Sequence, residues 1–440
     1  MSEATPRRPK RVTRRQMVAG MGAATFGGVV AGGAGGFLGG QSTDSQASST
    51  AKGKPITIGV LAPVTGAGAG DGQEMVRGIK LGVAEVNAAG GVGGRPLGFT
   101  LLDAKDQTPE IMTSAMRKFV ADRVAAVFAP FITYTNVETP IVGRAKIPLF
   151  HVNTFQGNVD FAIKNGYRNI FQGCPSEIWY ATGFVNVLTS LIDGGKWKPR
   201  DKTVAIVSSN DAYSISIART LRSDVQKLGW KVVHFDTYTV PQSEWGSTLT
   251  RIRAKNPDIV FQSDYFAGDE ASFIKQFAES PTQSLVYQQY APSIPEYLKL
   301  AGKAANGVLW ATTTGTIVDD ELGQRFTAAY RKAYHQDPGL ANAGNQRDLV
   351  LLWAQAAGMA GDPFDYVRVG DNVRHMVFRG VNGAYKLGPD QQTNLPYPAK
   401  IKDPSLGEPL LTFQIQDGKQ VLISPDPYTK GEFQTPPWLA

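Results

Sequence analysis

Cysteine and histidine are scarce in this sequence. Its 440 residues include one cysteine, Cys174, and four histidines that lie far apart. A single cysteine excludes a disulfide bond within the chain, and no cysteine near the leader could carry a lipid anchor. No H-E-x-x-H pair occurs, so no group of residues has the spacing of a zinc site. We therefore expect no metal and no cofactor, and we expect Cys174 to be a small core residue.

Motifs that mark common enzyme sites are also missing. Glycine alternates with other residues from Gly66 to Gly72, but Asp71 and Gln73 stand where a G-x-G-x-x-G loop requires glycine. The sequence contains no G-x-x-x-x-G-K-[ST] phosphate loop and no G-x-S-x-G nucleophile elbow. We predict that the protein is not an enzyme.

The charge balance gives no support for a nucleic-acid partner. The net charge of the chain is +7, but the first 47 residues carry +4 of it, which leaves +3 for the remainder. Hydrophobic residues make up 42% of the chain and charged residues 19%, as in ordinary globular proteins. No basic patch of the kind that binds nucleic acid follows from this composition.

Residues 1–47 have the three-part build of an export signal. A basic stretch ends in the pair Arg14 and Arg15, an apolar run rich in glycine and alanine extends from Met17 to Leu38, and a polar stretch follows. The paired arginines resemble the twin-arginine type of signal. We expect cleavage after Ala47. The alternative is an uncleaved leader that retains the protein at the membrane, since the apolar run is long enough to span.

Strands and helices alternate after a linker at residues 48–54, and the pattern restarts at Thr203. Such alternation predicts parallel sheets, and the restart indicates two similar α/β lobes. Hydrophobic periodicity predicts strands at 56–61, 98–103, 124–129, 147–152, 203–208, 231–235, 259–262 and 285–288, with helices between them and further helices at 321–334 and 346–359.

The first of these units carries the most specific pattern. The strand ITIGVLAPVTG (Ile56 to Gly66) leads through a glycine-rich loop into a helix that ends at NAAGGVGGRPL (Asn87 to Leu97). A glycine-rich loop at a helix N-terminus presents free backbone N–H groups to a ligand. This run resembles the periplasmic type 1 solute-binding proteins of the leucine/isoleucine/valine-binding family, which serve ABC importers of branched-chain amino acids, amides and urea.

The resemblance implies a fold and a division of the chain. Two doubly wound, Rossmann-like lobes would be joined by a hinge, as in the periplasmic binding protein type 1 fold. The chain would return to the first lobe near Trp310 and to the second after Gly380. The expected boundaries are 55–174 and 310–379 for lobe 1, and 175–309 and 380–440 for lobe 2 with an extended C-terminal tail.

The resemblance also implies a function. The protein would be exported to the periplasm or the cell-envelope exterior, close over a small-molecule ligand, and deliver it to an ABC permease and its ATPase subunits. We expect a monomer. A ligand-sensing receptor of the same fold is the alternative, although the sequence shows no signalling domain. An exported enzyme on this scaffold is a third class, and it would have to show turnover.

Loops at the carboxyl ends of the strands supply the candidate ligand contacts, because ligands bind at that edge of doubly wound sheets. In the first loop, Asp71 stands where the family often has a polar or aromatic residue. A later turn resembles one whose serine hydroxyl contacts the ligand's carboxylate in the family. This implies the same role for Thr133, or for Tyr134 or Thr135 if the alignment shifts.

The loop after the fourth strand departs from the family. Where the family usually has S-x-A-T, this chain has Asn153, Thr154 and Phe155. Thr154 keeps a hydroxyl group, whereas Asn153 and Phe155 add an amide and a ring. The change predicts a ligand other than a small apolar amino acid, or at least a reshaped pocket.

Tyrosines follow three strands of the second lobe. Tyr213 resembles the family tyrosine that covers the ligand on closure, and Tyr265 offers a second aromatic wall. Tyr290 stands where amino-acid binders commonly place an acidic residue for the α-ammonium, and a buried ammonium without such a partner would be costly. Either Asp71 supplies that charge, or the ligand is an amide, a urea-like compound or an organic or aromatic acid. We favour the second hypothesis.

Overall fold

The computed structural model describes residues 51–66 and 68–439. The export leader predicted for residues 1–47, with Arg14, Arg15 and the cleavage position after Ala47, lies outside them. Within the described part of the chain, no helix combines the length and the apolar character needed to cross a lipid bilayer.

The strands cluster in two separate sheets, with two small strand pairs besides. Their bounds are β1 Ile56–Ala62, β2 Leu97–Asp103, β3 Val127–Phe128, β4 Leu149–His151, β5 Ile170–Gln172, β6 Thr203–Ser209, β7 Lys231–Tyr238, β8 Ile259–Ser263, β9 Leu285–Gln289, β10 Leu309–Thr312, β11 Phe378–Gly380, β12 Gly383–Tyr385, β13 Pro396–Tyr397, β14 Glu408–Pro409, β15 Leu411–Gln416 and β16 Lys419–Ser424.

Helices connect most consecutive strands. They are α1 Ala69–Ala88, α2 Pro109–Ala121, α3 Thr139–Ala145, α4 Gln156–Lys164, α5 Ile178–Asp193, α6 Ala212–Lys227, α7 Gly246–Lys255, α8 Ala267–Glu279, α9 Pro295–Ala301, α10 Glu321–Tyr334, α11 Ala343–Ala360 and α12 Tyr366–His375, with short 3-10 turns at Ala291–Ser293, Gly302–Ala305 and Pro437–Leu439.

Both sheets use the same doubly wound order. The first runs β2-β1-β3-β4-β5 with every neighbouring pair parallel. The second runs β7-β6-β8-β9-β10, also parallel, and is extended by the antiparallel strands β15 and β16. The strand order therefore reverses between β1 and β3 in one lobe and between β6 and β8 in the other. Crevices at such reversals are where doubly wound sheets bind ligands.

Packing of α1 against α11 builds the core of the first lobe. Val76, Ile79 and Val83 of α1 recur at helical spacing and are buried with Leu349 and Trp353 of α11 in one core. Glycine makes this packing close: a β-carbon added to Gly78 would lie 2.1 Å from the carbonyl oxygen of Ala343. The two backbones therefore approach more closely than any larger residue would allow.

The second lobe buries large aromatic side chains on both faces of its sheet. On one face, Phe184 of α5 lies 4.7 Å from Tyr287, which stacks on Phe261 at 4.5 Å between ring centroids. On the other face, Trp310 and Phe413 are buried and stack at 4.7 Å. Aromatic burial of this extent is a major source of stability.

The chain returns to the first lobe later than expected at Trp310. Trp310 lies in β10, and β10 pairs with β9 and β15 of the second sheet. The stacking of Trp310 on Phe413 explains this placement, because it buries both rings inside the second lobe. The chain leaves that sheet only after Thr312.

The final crossing also differs from the position expected after Gly380. Tyr385 and Leu387 belong to the core of the first lobe, and the Tyr385 hydroxyl donates to Asp348 of α11 at 3.1 Å. The chain joins the second sheet only at Leu411, where β15 pairs with β10. Burial of Tyr385 beside α11 keeps this segment in the first lobe.

The C-terminal tail, for which the sequence offered no interpretation, completes the second lobe. The β15–β16 hairpin extends the sheet beyond β10. Near the end of the chain, the Trp438 indole lies edge-on to Phe277 at 5.6 Å and its N–H donates to the carbonyl of Ser284 at 2.8 Å. The tail therefore covers apolar surface that the second sheet would otherwise expose.

We predict that Gly78→Ala destabilises the protein by about 1–3 kcal/mol, because the new methyl group would force α1 and α11 apart. Chemical denaturation measures the change. Gly358→Ala in α11 is the matched control, since a β-carbon there meets no atom within 4 Å. It should be neutral or stabilising by about 0.5–1 kcal/mol. Equal effects of the two substitutions would contradict the close packing.

Candidate functional site

The carboxyl ends of the two sheets face each other across a cleft. Tyr290, directly after β9 of the second sheet, donates a hydrogen bond from its hydroxyl to Asp71 Oδ2 at 3.0 Å. Asp71 lies in the first turn of α1, which follows β1 of the first sheet. The candidate residues Asp71 and Tyr290 are thus brought together from opposite lobes.

Asp71 also contacts a residue that the sequence did not predict. Asn342, immediately before α11, donates from Nδ2 to Asp71 Oδ1 at 2.9 Å. Burial raises the pKa of Asp71, and the hydrogen bonds from Tyr290 and Asn342 oppose that rise. No short motif marks Asn342, because it joins the cleft only through the packing of α1 on α11.

A second carboxylate lies one turn further along α1. Glu74 Oε1 accepts a hydrogen bond from the backbone N–H of Gly339 at 2.7 Å. Burial raises the pKa of Glu74 to about 7, and the nearby charge of Asp71 raises it further, while Arg77 lowers it. The two side chains form an acidic pair on the face of α1 next to the cleft.

Thr133 is already engaged with a carboxylate of its own loop. Its backbone N–H donates to Glu138 Oε1 at 2.6 Å and its hydroxyl donates to Glu138 Oε2 at 2.7 Å. Glu138 is fully buried at the start of α3. The group predicted to hold the carboxylate of a ligand therefore holds an internal carboxylate. A glutamate five residues after the threonine is the signal that sequence reasoning missed.

Asn153 and Thr154 tie the first-lobe loops together. Asn153 Nδ2 donates to the carbonyl of Ile132 at 3.0 Å and to Asn158 Oδ1 at 2.9 Å. The carbonyl of Thr154 accepts from the backbone N–H of Glu177. These contacts position the loop after β4, whereas a ligand contact by Asn153 or Thr154 stays a prediction.

Aromatic rings from both lobes line the cleft. The Phe155 ring lies edge-on to Tyr134 at 5.0 Å, and Tyr213 lies edge-on to Tyr265 at 6.3 Å. Tyr134 is 39% exposed, yet the surrounding protein raises its pKa and the negative charge of Asp211 in the second lobe raises it further. The Tyr134 ring is thus partly exposed to solvent and also close to side chains of the second lobe, as expected for a residue in the wall of a cleft.

Tyr213 is more buried than a covering residue would be. Only 7% of its surface is exposed, and its hydroxyl accepts a hydrogen bond from Gln289 Nε2 at 3.2 Å. Gln289 ends β9, directly before Tyr290. Tyr213 therefore supports the wall of the cleft from behind, and the half-buried Tyr265 presents more of its ring.

Glu177 connects the two lobes at their first crossing and was not predicted. Its Oε2 accepts from the backbone N–H of Gln156 at the start of α4 at 2.7 Å. Its Oε1 accepts from the Ser216 hydroxyl in α6 at 2.6 Å. Burial raises the pKa of Glu177, while these hydrogen bonds lower it. One buried carboxylate thus holds a helix of each lobe.

Two aspartates complete the second-lobe edge. Asp211 caps α6, accepting from the backbone N–H of Ser214 at 3.0 Å. Asp264, after β8, accepts from the backbone N–H of Tyr265 at 2.6 Å and from that of Phe266 at 3.3 Å. Burial raises the pKa of Asp264 to about 7. Asp211 thus satisfies an N–H group in the first turn of α6, whereas Asp264 satisfies the N–H groups of the two residues before α8.

This two-lobed arrangement matches a known family. The family of periplasmic binding proteins matches residues 55–399 of the chain. The chain belongs to this family. The binding protein has the type 1 fold of two α/β lobes, as predicted, and its family is one of solute-binding proteins rather than enzymes.

Two relatives of this chain are Leu/Ile/Val-binding protein homologs from Brucella species. Leu/Ile/Val-binding protein homolog 8 of Brucella suis is 25% identical over 401 residues, which cover 87% of this chain and 93% of that protein. Homolog 3 of Brucella melitensis is 25% identical over 308 residues, which cover 70% of this chain and 80% of the other.

Solved structures extend the comparison. A protein from Silicibacter pomeroyi assigned to a branched-chain amino acid ABC transporter is 32% identical, with a TM-score of 0.83 over 88% of this chain and 100% of that one. A branched-chain amino acid transporter substrate-binding protein from Streptococcus pneumoniae, in complex with isoleucine, has a TM-score of 0.68 at 21% identity over 84% of this chain and 100% of its own. The second likeness shows the fold alone.

We predict that Glu74→Gln flattens the pH dependence of stability. In the folded protein the pKa of Glu74 is about 7, against 4.5 for an ordinary glutamate side chain. The folded state therefore binds more protons between these values, so this group's contribution to stability is lost as the pH rises from about 4.5 through 7. Glutamine removes the titration and can still accept from Gly339.

Thermal unfolding between pH 4.5 and 8 measures the effect. Glu110→Gln, in the exposed first turn of α2, is the control and should leave the profile unchanged. An identical decline with pH in Glu74→Gln and the unaltered protein would show that Glu74 does not carry this proton.

Proposed function

We propose that the protein is the exported substrate-binding component of an ABC importer. It captures a small polar solute between its lobes and presents the closed form to a permease and its ATPase subunits. The hydrogen bond from Tyr290 to Asp71 carries this proposal, because it joins the ligand-binding edges of the two sheets. Membership of the periplasmic binding protein family supports it.

The names of the relatives support the transport role. Leu/Ile/Val-binding protein homologs match most of the chain, and the 32% identical protein of Silicibacter pomeroyi is assigned to a branched-chain amino acid ABC transporter. We extend that role to this chain, working as a monomer outside the cytoplasm.

Closure of the two lobes is the central step of the mechanism. A ligand that contacts both walls binds the closed form better than the open one, and this difference in affinity shifts the population toward closure. Asp71 belongs to one wall and Tyr290 to the other, while Glu177 holds both lobes at the crossing between them. Only the closed form offers the permease both lobe surfaces in a fixed arrangement.

The solute class of the proposal spans amino acids, amides, urea-like compounds and organic or aromatic acids. Tyr290 and Asn342 each donate one hydrogen bond to Asp71, and a carboxylate offers about four acceptor positions, so Asp71 can still accept a donor from the solute.

Export through the twin-arginine route is part of the proposal. Replacement of both Arg14 and Arg15 by lysine should leave the protein inside the cell. N-terminal sequencing of the exported form of the unaltered protein should begin at Ser48. Export of the doubly substituted chain at the normal level would contradict the route, and an intact leader would contradict cleavage after Ala47.

The direct test is thermal unfolding against a panel of amino acids, amides, urea and organic acids. A solute at about 100 times its Kd should stabilise the protein by roughly 2.7 kcal/mol. Tyr290→Phe removes the donor to Asp71 and should reduce the ligand-induced shift, since hydrogen bonds to charged groups contribute about 1.5–3 kcal/mol.

Tyr428→Phe is the matched control. The Tyr428 hydroxyl donates to the carbonyl of Pro404 at 3.2 Å in the tail, so its loss should leave the ligand response unchanged. A panel in which no solute raises the unfolding temperature, or substrate turnover by the purified protein, would refute the proposed function.

A further inference from the structure

The segments that follow the strands at the carboxyl edges of the two sheets contain one basic residue. Apart from Lys105, no lysine, arginine or histidine occurs in the segments that follow β1 to β10 at the carboxyl edges: 63–68, 104–108, 129–138, 152–155, 173–177, 210–211, 239–245, 264–266, 290–294 and 313–320. Lys105 is exposed and follows β2, at the outer edge of the first sheet. In the described part of these segments, a ligand carboxylate would therefore find no cationic side chain after the central strands β1 and β3 or β6 and β8.

Two nearby basic residues are also excluded as anion partners. Arg77 points away along α1, where its guanidinium lies 5.6 Å from the centroid of the Tyr334 ring and donates to the Tyr330 hydroxyl at 3.4 Å. His151 ends β4 but is buried, and burial lowers its pKa to about 3, so it is uncharged at neutral pH.

Several backbone donors in these loops are occupied by the protein's own carboxylates. Glu138 accepts from the N–H of Thr133, and Glu177 accepts from that of Gln156 at the start of α4. In the second lobe, Asp211 accepts from an N–H group in the first turn of α6, and Asp264 accepts from those of the two residues before α8. Helix N-termini and turns are the usual backbone sites for anions, and internal carboxylates occupy N–H groups of this kind at four places.

The remaining features of the cleft favour a positive charge. Asp71 and Glu74 lie on α1 beside the cleft, and in their ionised forms they attract a positive charge. The rings of Tyr134, Phe155 and Tyr265 supply the electron-rich faces that attract organic cations.

From these contacts we infer that the captured solute is an organic ammonium compound without a carboxylate group, held by Asp71 and the aromatic rings of the cleft. The inference rests on the proposed function and names the solute class of the same cleft. It replaces our expectation of an amide or an organic acid. A free carboxylate on the ligand would lie beside the acidic side chain of Asp71, and the repulsion between like charges is unfavourable.

The experiment compares ligands that differ only in their charged groups. Calorimetric titration of the purified protein uses leucine, 3-methylbutylamine, 4-methylpentanoate and 4-methylpentanamide, then phenylalanine, phenethylamine, 3-phenylpropionate and 3-phenylpropanamide. In at least one series, the amine should bind roughly tenfold or more tightly than the amino acid, the acid and the amide, as expected for one charge-assisted contact.

Substitutions connect the preference to the named residues. Asp71→Asn should reduce amine affinity by roughly tenfold or more and leave amide affinity nearly unchanged. Tyr134→Leu, at an exposed ring, is the second variant and should weaken the amine more than the amide. Asp122→Asn, in a surface pair with Lys118, should have no effect on either ligand.

Other outcomes overturn the inference. If an amino acid or acid binds as tightly as its amine, the cleft accepts carboxylates. The inference of an ammonium compound without a carboxylate is then wrong, whereas the proposed function of solute binding is supported. If the amide equals the amine, the positive charge is not recognised. If no amine binds, the inference fails, and the proposed function fails with it only when the wider panel of amino acids, amides and acids also gives no stabilisation.

Discussion

The carboxylate of Asp71 is the contact on which the cleft depends. It accepts hydrogen bonds from Tyr290, 219 residues later in the chain, and from Asn342, 271 residues later. One partner directly follows a strand of the second sheet and the other precedes α11 of the first lobe. A single side chain at the start of α1 therefore contacts both lobes. Because burial raises the pKa of Asp71, its charge is costly without these donors.

Internal carboxylates give the cleft its chemical character. Glu138 and Glu177 each satisfy backbone N–H groups that turns and helix starts leave unpaired. Both partners of each bond belong to the protein itself, so these loops are positioned by internal contacts. The negative charge of Glu177 lies at the start of α4, where it opposes the positive potential that a helix N-terminus offers. Under the proposed function, selectivity depends on Asp71 and on the aromatic walls.

The sequence predicted helices and strands more accurately than it predicted which residues contact one another in the fold. The helix expected at Glu321–Tyr334 has those bounds, because its apolar stripe and the Asp320 cap are local signals. The placement of Trp310 could not be predicted, since periodicity identifies a strand but not its neighbour, and the neighbour here lies about a hundred residues later. Likewise, strand ends indicated Thr133 as a site residue but not its engagement by Glu138.

Tyr290 has a backbone conformation that prepares it for this contact. Its φ of 75° and ψ of −55° place a non-glycine residue in a region that costs about 1–3 kcal/mol. The carbonyl of Tyr290 accepts from the N–H of Ser293 at 2.8 Å, and this bond lies wholly within the second lobe. The hydrogen bond that supports the strained turn therefore does not depend on the first lobe. In this turn the phenol reaches Asp71 of the first lobe, and a backbone held in one conformation has less freedom to lose when that contact forms.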